Sequence, residues 1–210
     1  MVDYVESVKR PFTDLGKLIL GIILSIIPIV NFIFSGYLLE VSKSAMKKDM
    51  ELPEYKDYGK MFIEGILTAI IGFVYMLPVT ILFVILVVTG TLAFGNLLTG
   101  GTIGIIGAIA GLGVYLVILA IVGVIFWILA TAAILRFAED REFSVAFDFS
   151  AVAKKAFNGH YVMNWLLTMV IVCAISFLIN LIPFVGQLLA IYIAGVINMT
   201  ALAQAYAEAK

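Results

Sequence analysis

Residues 65–135 read GILTAIIGFVYMLPVTILFVILVVTGTLAFGNLLTGGTIGIIGAIAGLGVYLVILAIVGVIFWILATAAIL, 71 consecutive positions without one Asp, Glu, Lys or Arg. An element folded in water must turn a polar face outward, whereas one in lipid need not, so a stretch of this length places the chain in a membrane. A helical crossing takes about 20 apolar residues, and the stretch therefore holds at least two. Composition agrees: 63% of the 210 residues are apolar and 13% are charged, against about a quarter charged in a soluble domain.

Two crossings need a turn between them, and the Gly/Thr-rich segment 89–102 is where the sequence breaks its apolar run. The expected spans are 62–88, kinked at Pro78, and 104–135. Across 100–113, at the start of the second span and just before it, Gly100, Gly104, Gly107 and Gly111 supply small residues at the spacing that lets two helix backbones approach closely in lipid.

On the N-terminal side, residues 1–17 carry six charges and precede an apolar run, 18–39, that contains Pro28. The start imitates a signal peptide, yet no small-x-small cleavage site follows Ile27, so the segment is read as retained. Its 22 residues suffice for one crossing or for a short hairpin tipped at Pro28. Residues 40–64 form the densest polar block, a water-exposed loop containing Leu52, Pro53, Glu54 and Tyr55, with Tyr55, Tyr58 and Phe62 suited to the headgroup layer.

Beyond the central stretch, Arg136, Glu139, Asp140, Arg141 and Glu142 close the second span. Residues 148–159 then read as an interfacial amphipathic helix. Asp148 is its N-cap, Phe149, Val152, Ala153, Ala156 and Phe157 share one face, Lys154 and Lys155 look away, and Gly159 is placed to stop it. Two more spans follow, 161–181 and 184–207, turning at Pro183. The openings at Asp3-Tyr4, Asp57-Tyr58 and Asp148-Phe149, each followed by an aliphatic-Pro pair, suggest three related hairpins or a recurring membrane-entry motif.

Charges gather in clusters at 3–17, 40–64 and 136–155 and at the tail, and every cluster contains Lys or Arg. The positive-inside rule puts them all on the cytoplasmic face, so each uncharged stretch crosses an even number of times. The expected protein is all-α, a single integral domain of four full spans plus the short Pro-tipped hairpin, with both termini cytoplasmic in the cell membrane. Five spans with the N-terminus outside is the competing arrangement. Its parts are an interfacial N-terminus (1–17), a first membrane segment (18–39), a loop (40–64), a central hairpin (62–135), a loop with an amphipathic helix (136–159) and a C-terminal hairpin (160–207).

The order Ile27-Pro28-Ile29-Val30-Asn31 with Gly36-Tyr37, then Leu52-Pro53-Glu54-Tyr55 with Asp57 and Gly59, then Phe62, Gly65, Tyr75 and Leu77-Pro78, resembles a family of uncharacterised, mainly archaeal multi-pass membrane proteins known only as a domain of unknown function. Ala146-Phe147-Asp148-Phe149 and Ala203-Gln204-Ala205-Tyr206 fit the same pattern, although Trp is common in the family where Tyr55 and Tyr58 stand here. The resemblance implies a compact helical membrane domain of archaeal origin and supplies no catalytic residues.

No residues are assigned to catalysis, a cofactor or a metal. The Gly-rich 100–113 lacks the Lys-Ser/Thr of a phosphate loop, the lone His160 has no ligating partners in sequence, and Cys173 is a single thiol in an apolar run. A net charge of -1 gives nucleic acid no basic surface. Glu64, at a span entrance, is expected to face headgroups and water. Lys43, Lys47, Lys48, Lys154 and Lys155 are candidates for lipid headgroups, and Asn164, Thr168, Ser176 and Asn180 form a polar stripe that either lines a path or bonds helices together. The favoured function is a non-catalytic scaffold, lipid-organising or accessory subunit, with membrane lipids and a homo-oligomer or larger membrane complex as partners. A small-solute carrier or channel is the alternative.

Overall fold

A computed structural model describes residues 2–99, 101–183 and 185–209, the side chains of 92–105 and 108 excepted. Every described element is helical: α1 (Tyr4–Lys9), α2 (Leu15–Ile26), α3 (Asn31–Met46), α4 (Tyr58–Thr99), α5 (Gly101–Asp140), α6 (Phe149–Ala156), α7 (Gly159–Asn180) and α8 (Val185–Glu208), with 3₁₀ turns at Arg10–Phe12 and Phe143–Phe147. The chain divides into two compact units, one of residues 1–71 with 131–210 and one of 72–130.

In the first unit, short polar side chains start the helices. Asp3 accepts from the Glu6 amide, Asp14 from Lys17, Asp57 from Lys60, Asp148 from Ala151 and Asn158 from His160, at 2.9–3.1 Å. Each satisfies an amide that the first helical turn leaves without a partner. The three Asp-aromatic openings of the sequence are thus helix caps.

Segment 18–39 forms the hairpin. Helix α2 has 12 residues, about 18 Å at 1.5 Å per residue, against a hydrocarbon core of about 30 Å. The chain turns at 27–30, where Ile29 takes a left-handed φ of 72° and the Asn31 amide bonds the Ile27 carbonyl at 2.9 Å. Four other helical stretches, Tyr58–Thr91, Ile109–Asp140, Gly159–Asn180 and Val185–Glu208, are long and apolar enough to cross a membrane.

The core of this unit is built on α8. Ala201, Leu202, Ala203, Ala205 and Tyr206 are buried on successive faces, the pattern of a helix surrounded by protein. Helices α1, α2, α3 and α7 pack on it, and Leu18, Phe34, Tyr37, Val41, Met61, Tyr192 and Val196 fill the space between. Where α3 meets α4, the contact is reciprocal. A methyl group on Gly36 would overlap the Met61 carbonyl, and one on Gly65 would overlap the Phe32 carbonyl. Phe32 and Phe62 close that crossing edge to face at 6.0 Å.

The second unit holds the apolar parts of α4 and α5, joined by the Tyr115 hydroxyl donating to the Leu82 carbonyl at 3.3 Å. The change from one helix to the next falls inside the expected 89–102 segment but takes less of it than expected: α4 stays helical to Thr99 and α5 begins at Gly101, giving helices of 42 and 40 residues, and position 100 lies outside the described residues. Threonine does not break this helix because its hydroxyl bonds a carbonyl of the preceding turn, Thr89 to Ile85 at 2.7 Å and Thr91 to Val88 at 2.8 Å. Gly159 also departs from expectation. Helix α6 already ends at Ala156, and Gly159 is the first residue of α7, after its cap Asn158.

Candidate functional site

The charged end of the first unit is organised by Arg10. Pro11 stands in the 3₁₀ turn Arg10–Phe12, which bends the chain between α1 and α2 and directs the Arg10 side chain inward, where 1% of the residue is exposed. Its guanidinium makes six hydrogen bonds. Nε donates to Met50 O at 3.0 Å, Nη1 to Val41 O at 3.1 Å and Thr200 Oγ1 at 3.0 Å, and Nη2 to Ser44 Oγ at 2.6 Å, Asp49 O at 3.2 Å and Glu51 O at 2.8 Å. One side chain thereby ties the N-terminal segment to the end of α3, to the segment that follows it and to α8. Among the described residues no carboxylate pairs with it; the negative end of α3 faces it instead, and burial lowers its pKa. Gln204 adds a second tie, accepting from the Asp3 amide at 2.8 Å and donating to Ser7 Oγ at 3.3 Å.

Residues 47–57 act as a strap over this charged end of the first unit. Besides Arg10, Lys17 holds the strap, donating to Leu52 O at 2.7 Å and pairing with Glu54 at 2.9 Å. Leu52 is buried and the Tyr55 ring stacks on Tyr37 at 4.0 Å, 12° from parallel. The expectation of a wholly water-exposed loop is therefore corrected: apolar residues inside the polar block have core to reach. Outside the strap lies an open polar cleft of about 1150 Å³, lined by Asp14, Lys17, Glu40, Lys43, Lys47 and Lys48 among others.

A second charge cluster joins three helices. Arg141 pairs with Glu64 at 2.5 Å and with Glu40 at 3.0 Å, linking the end of α5 to α4 and α3. Arg141 follows α5 in the left-handed conformation, φ 62°, its amide bonding the Phe137 carbonyl at 2.9 Å. Glycine usually fills such a helix end, and a side chain there costs about 1–2 kcal/mol. The ion pairs offset that. Glu64 is 7% exposed and paired, so the expectation that it faces headgroups and water is corrected too.

The residues singled out from the sequence fall in different places. Lys43, Lys47 and Lys48 line the cleft and close no ion pair among the described residues. Lys154 is exposed, whereas Lys155 turns back to the end of α8, bonding Ala209 O and lying 5.0 Å from the Tyr206 ring centre. In α7, Asn164 accepts from the Tyr4 hydroxyl at 2.7 Å and donates to His160 O, Thr168 donates to Asn164 O, and Asn180 donates to Ser176 O. Among the described residues, nothing lies within 4 Å of where a Cβ on Gly107 or Gly111 would stand. Gly100 lies outside the described residues, and Gly104 lies in the stretch whose surroundings are not described. In the sequence Arg10 reads as one charge among six, and the Pro immediately after it was the one available hint.

Four helices long and apolar enough to cross a membrane, together with the shorter apolar helix Leu15–Ile26, define an integral membrane protein of the polytopic helical class. The profile of a protein family of unknown function, DUF4013, matches residues 19–184, and the chain belongs to that family. No curated protein and no solved structure matches it.

Proposed function

We propose that the protein is a non-catalytic scaffold, lipid-organising or accessory subunit of an archaeal cell membrane, with both termini cytoplasmic, working as a homo-oligomer or within a larger membrane complex. The observation that carries this reading is how the polar groups are spent. Arg10, Gln204, Glu64, Arg141 and Asn164 all bond from one segment to another, and Thr168 and Asn180 bond their own helix backbone. Such groups hold helices in place and leave a solute little to bind. Gly107 and Gly111 offer open helix surface where a neighbouring backbone fits closely. The cytoplasmic assignment rests on the Lys and Arg in every charged cluster.

Native mass spectrometry of the protein released gently from its own membrane tests this reading. A defined oligomer or a retained foreign subunit, lost in Gly107→Leu while the monomer stays folded, is the expected result. A bare monomer carrying one specific solute, with flux altered by Asn164→Ala and Asn180→Ala, would replace it with the carrier reading.

A further inference from the structure

Three tyrosines of the first unit serve no purpose that packing alone explains. Tyr37 of α3 and Tyr192 of α8 are fully buried, and Tyr55 of the strap has its hydroxyl sealed from solvent. None of the three hydroxyl oxygens accepts or donates a hydrogen bond of good geometry among the described residues. Buried polar groups are nearly always bonded, because water's bonds are lost on burial and must be replaced. Phenylalanine would fill the same volume without that cost, as Phe34 does 5.5 Å from the Tyr192 ring.

The three rings meet at one place. Helix α2 presents Gly21 there, and a methyl group at that position would overlap the Tyr192 ring at the carbon next to the one bearing its hydroxyl, and would stand 2.6 Å from the Tyr55 hydroxyl. Tyr37 stacks on Tyr55, and its hydroxyl lies beside that of Tyr192. Arg10, a buried cation without a carboxylate in ion-pair range among the described residues, acts electrostatically on both Tyr37 and Tyr192. Three O–H donors near a cation whose six acceptors are all neutral oxygens suit an acceptor, and the close approach at Gly21 restricts its size.

We propose that the hydroxyls of Tyr37, Tyr55 and Tyr192 form a buried site for one small hydrogen-bond acceptor, a halide ion or a water molecule. The strap is its roof. Leu52, Pro53 and Glu54 line the open cleft, and the next residue, Tyr55, reaches the hydroxyl cluster, so lifting the strap connects the site to water. Nothing in this depends on the scaffold reading, since assembly through the Gly-bearing helix leaves these tyrosines untouched.

The test is the sign of a conservative substitution. In full-length protein in lipid nanodiscs, Tyr37→Phe and Tyr192→Phe each lower the thermal midpoint by at least about 2 °C if the hydroxyls hold a ligand. With a halide, replacing gluconate by chloride raises the parent's midpoint, the double variant loses that response, and bromide-soaked crystals give an anomalous peak at the hydroxyls. With a water, the Phe variants are destabilised without halide dependence. Phe variants as stable as the parent, or more so, would mean idle hydroxyls and overturn the proposal. Tyr55→Phe, at the edge of the core, gives the same reading if a helix variant fails to fold.

Discussion

Replacing Arg10 by lysine retains the charge and tests whether the six-bond geometry is what fastens the N-terminal segment. A lysine ammonium has three donors, so at least three of the six bonds to Met50, Val41, Thr200, Ser44, Asp49 and Glu51 are lost, and their acceptors stay dry. At about 1 kcal/mol for each bond, with some added desolvation, the cost is about 3–5 kcal/mol. At about 2–4 °C per kcal/mol for a chain of this size, the midpoint falls by roughly 6–20 °C. Intrinsic fluorescence during a thermal ramp in nanodiscs measures it. Limited trypsin digestion reports on the same event locally, since Lys47, Lys48 and Lys56 lie in the strap that Arg10 holds. A midpoint within about 2 °C of the parent, with the strap equally resistant, would refute the account of Arg10 as the central tie.

Gly36→Ala and Gly65→Ala each force a methyl into a facing carbonyl, and each is expected to destabilise by more than about 2 kcal/mol by the same thermal assay, against less than 1 kcal/mol for Gly107→Ala, which meets open space. Glu64→Gln leaves Arg141 half-compensated near the core and is expected to cost about 3 kcal/mol, with part recovered by adding Arg141→Met; a double-mutant cycle measures the coupling. The Asp14 carboxyl is held below the usual range, first by the Lys17 amide and then by the Lys17 charge. Its folded pKa being depressed, its contribution is present above the unfolded value and lost as pH falls through the folded one, so the midpoint gap between parent and Asp14→Asn is expected to close below about pH 4.

Hydropathy made the spans legible, because lipid imposes one rule on every residue of a crossing. Local rules made the caps legible: Asp148 needs only the three residues after it. The parity of the charge clusters found the 18–39 hairpin, which α2 then formed with 12 residues. What stayed hidden depends on distant partners. Arg10 is distinguished from Lys9 only by meeting α3, the strap and α8 together, and Glu64 from other acids only by Arg141, 77 positions away. The glycines show the same limit. Gly36 and Gly65 lie in ordinary apolar helix, yet they make the close crossing, whereas the conspicuous Gly107 and Gly111 meet nothing among the described residues. Spacing reveals which residues are able to pack closely; only the facing carbonyl decides which of them do.

The proposed placement of all charged segments on one side of the membrane, around a hairpin that does not cross, is tested most directly by cysteine accessibility. In a Cys173→Ser background, single cysteines at Lys9, Lys48 and Lys154 are labelled with a membrane-impermeant maleimide in vesicles of known orientation. The account predicts that all three label from the same, cytoplasmic side. Labelling of position 9 from the side opposite to position 48 would contradict it, because residues 18–39 would then cross the membrane once.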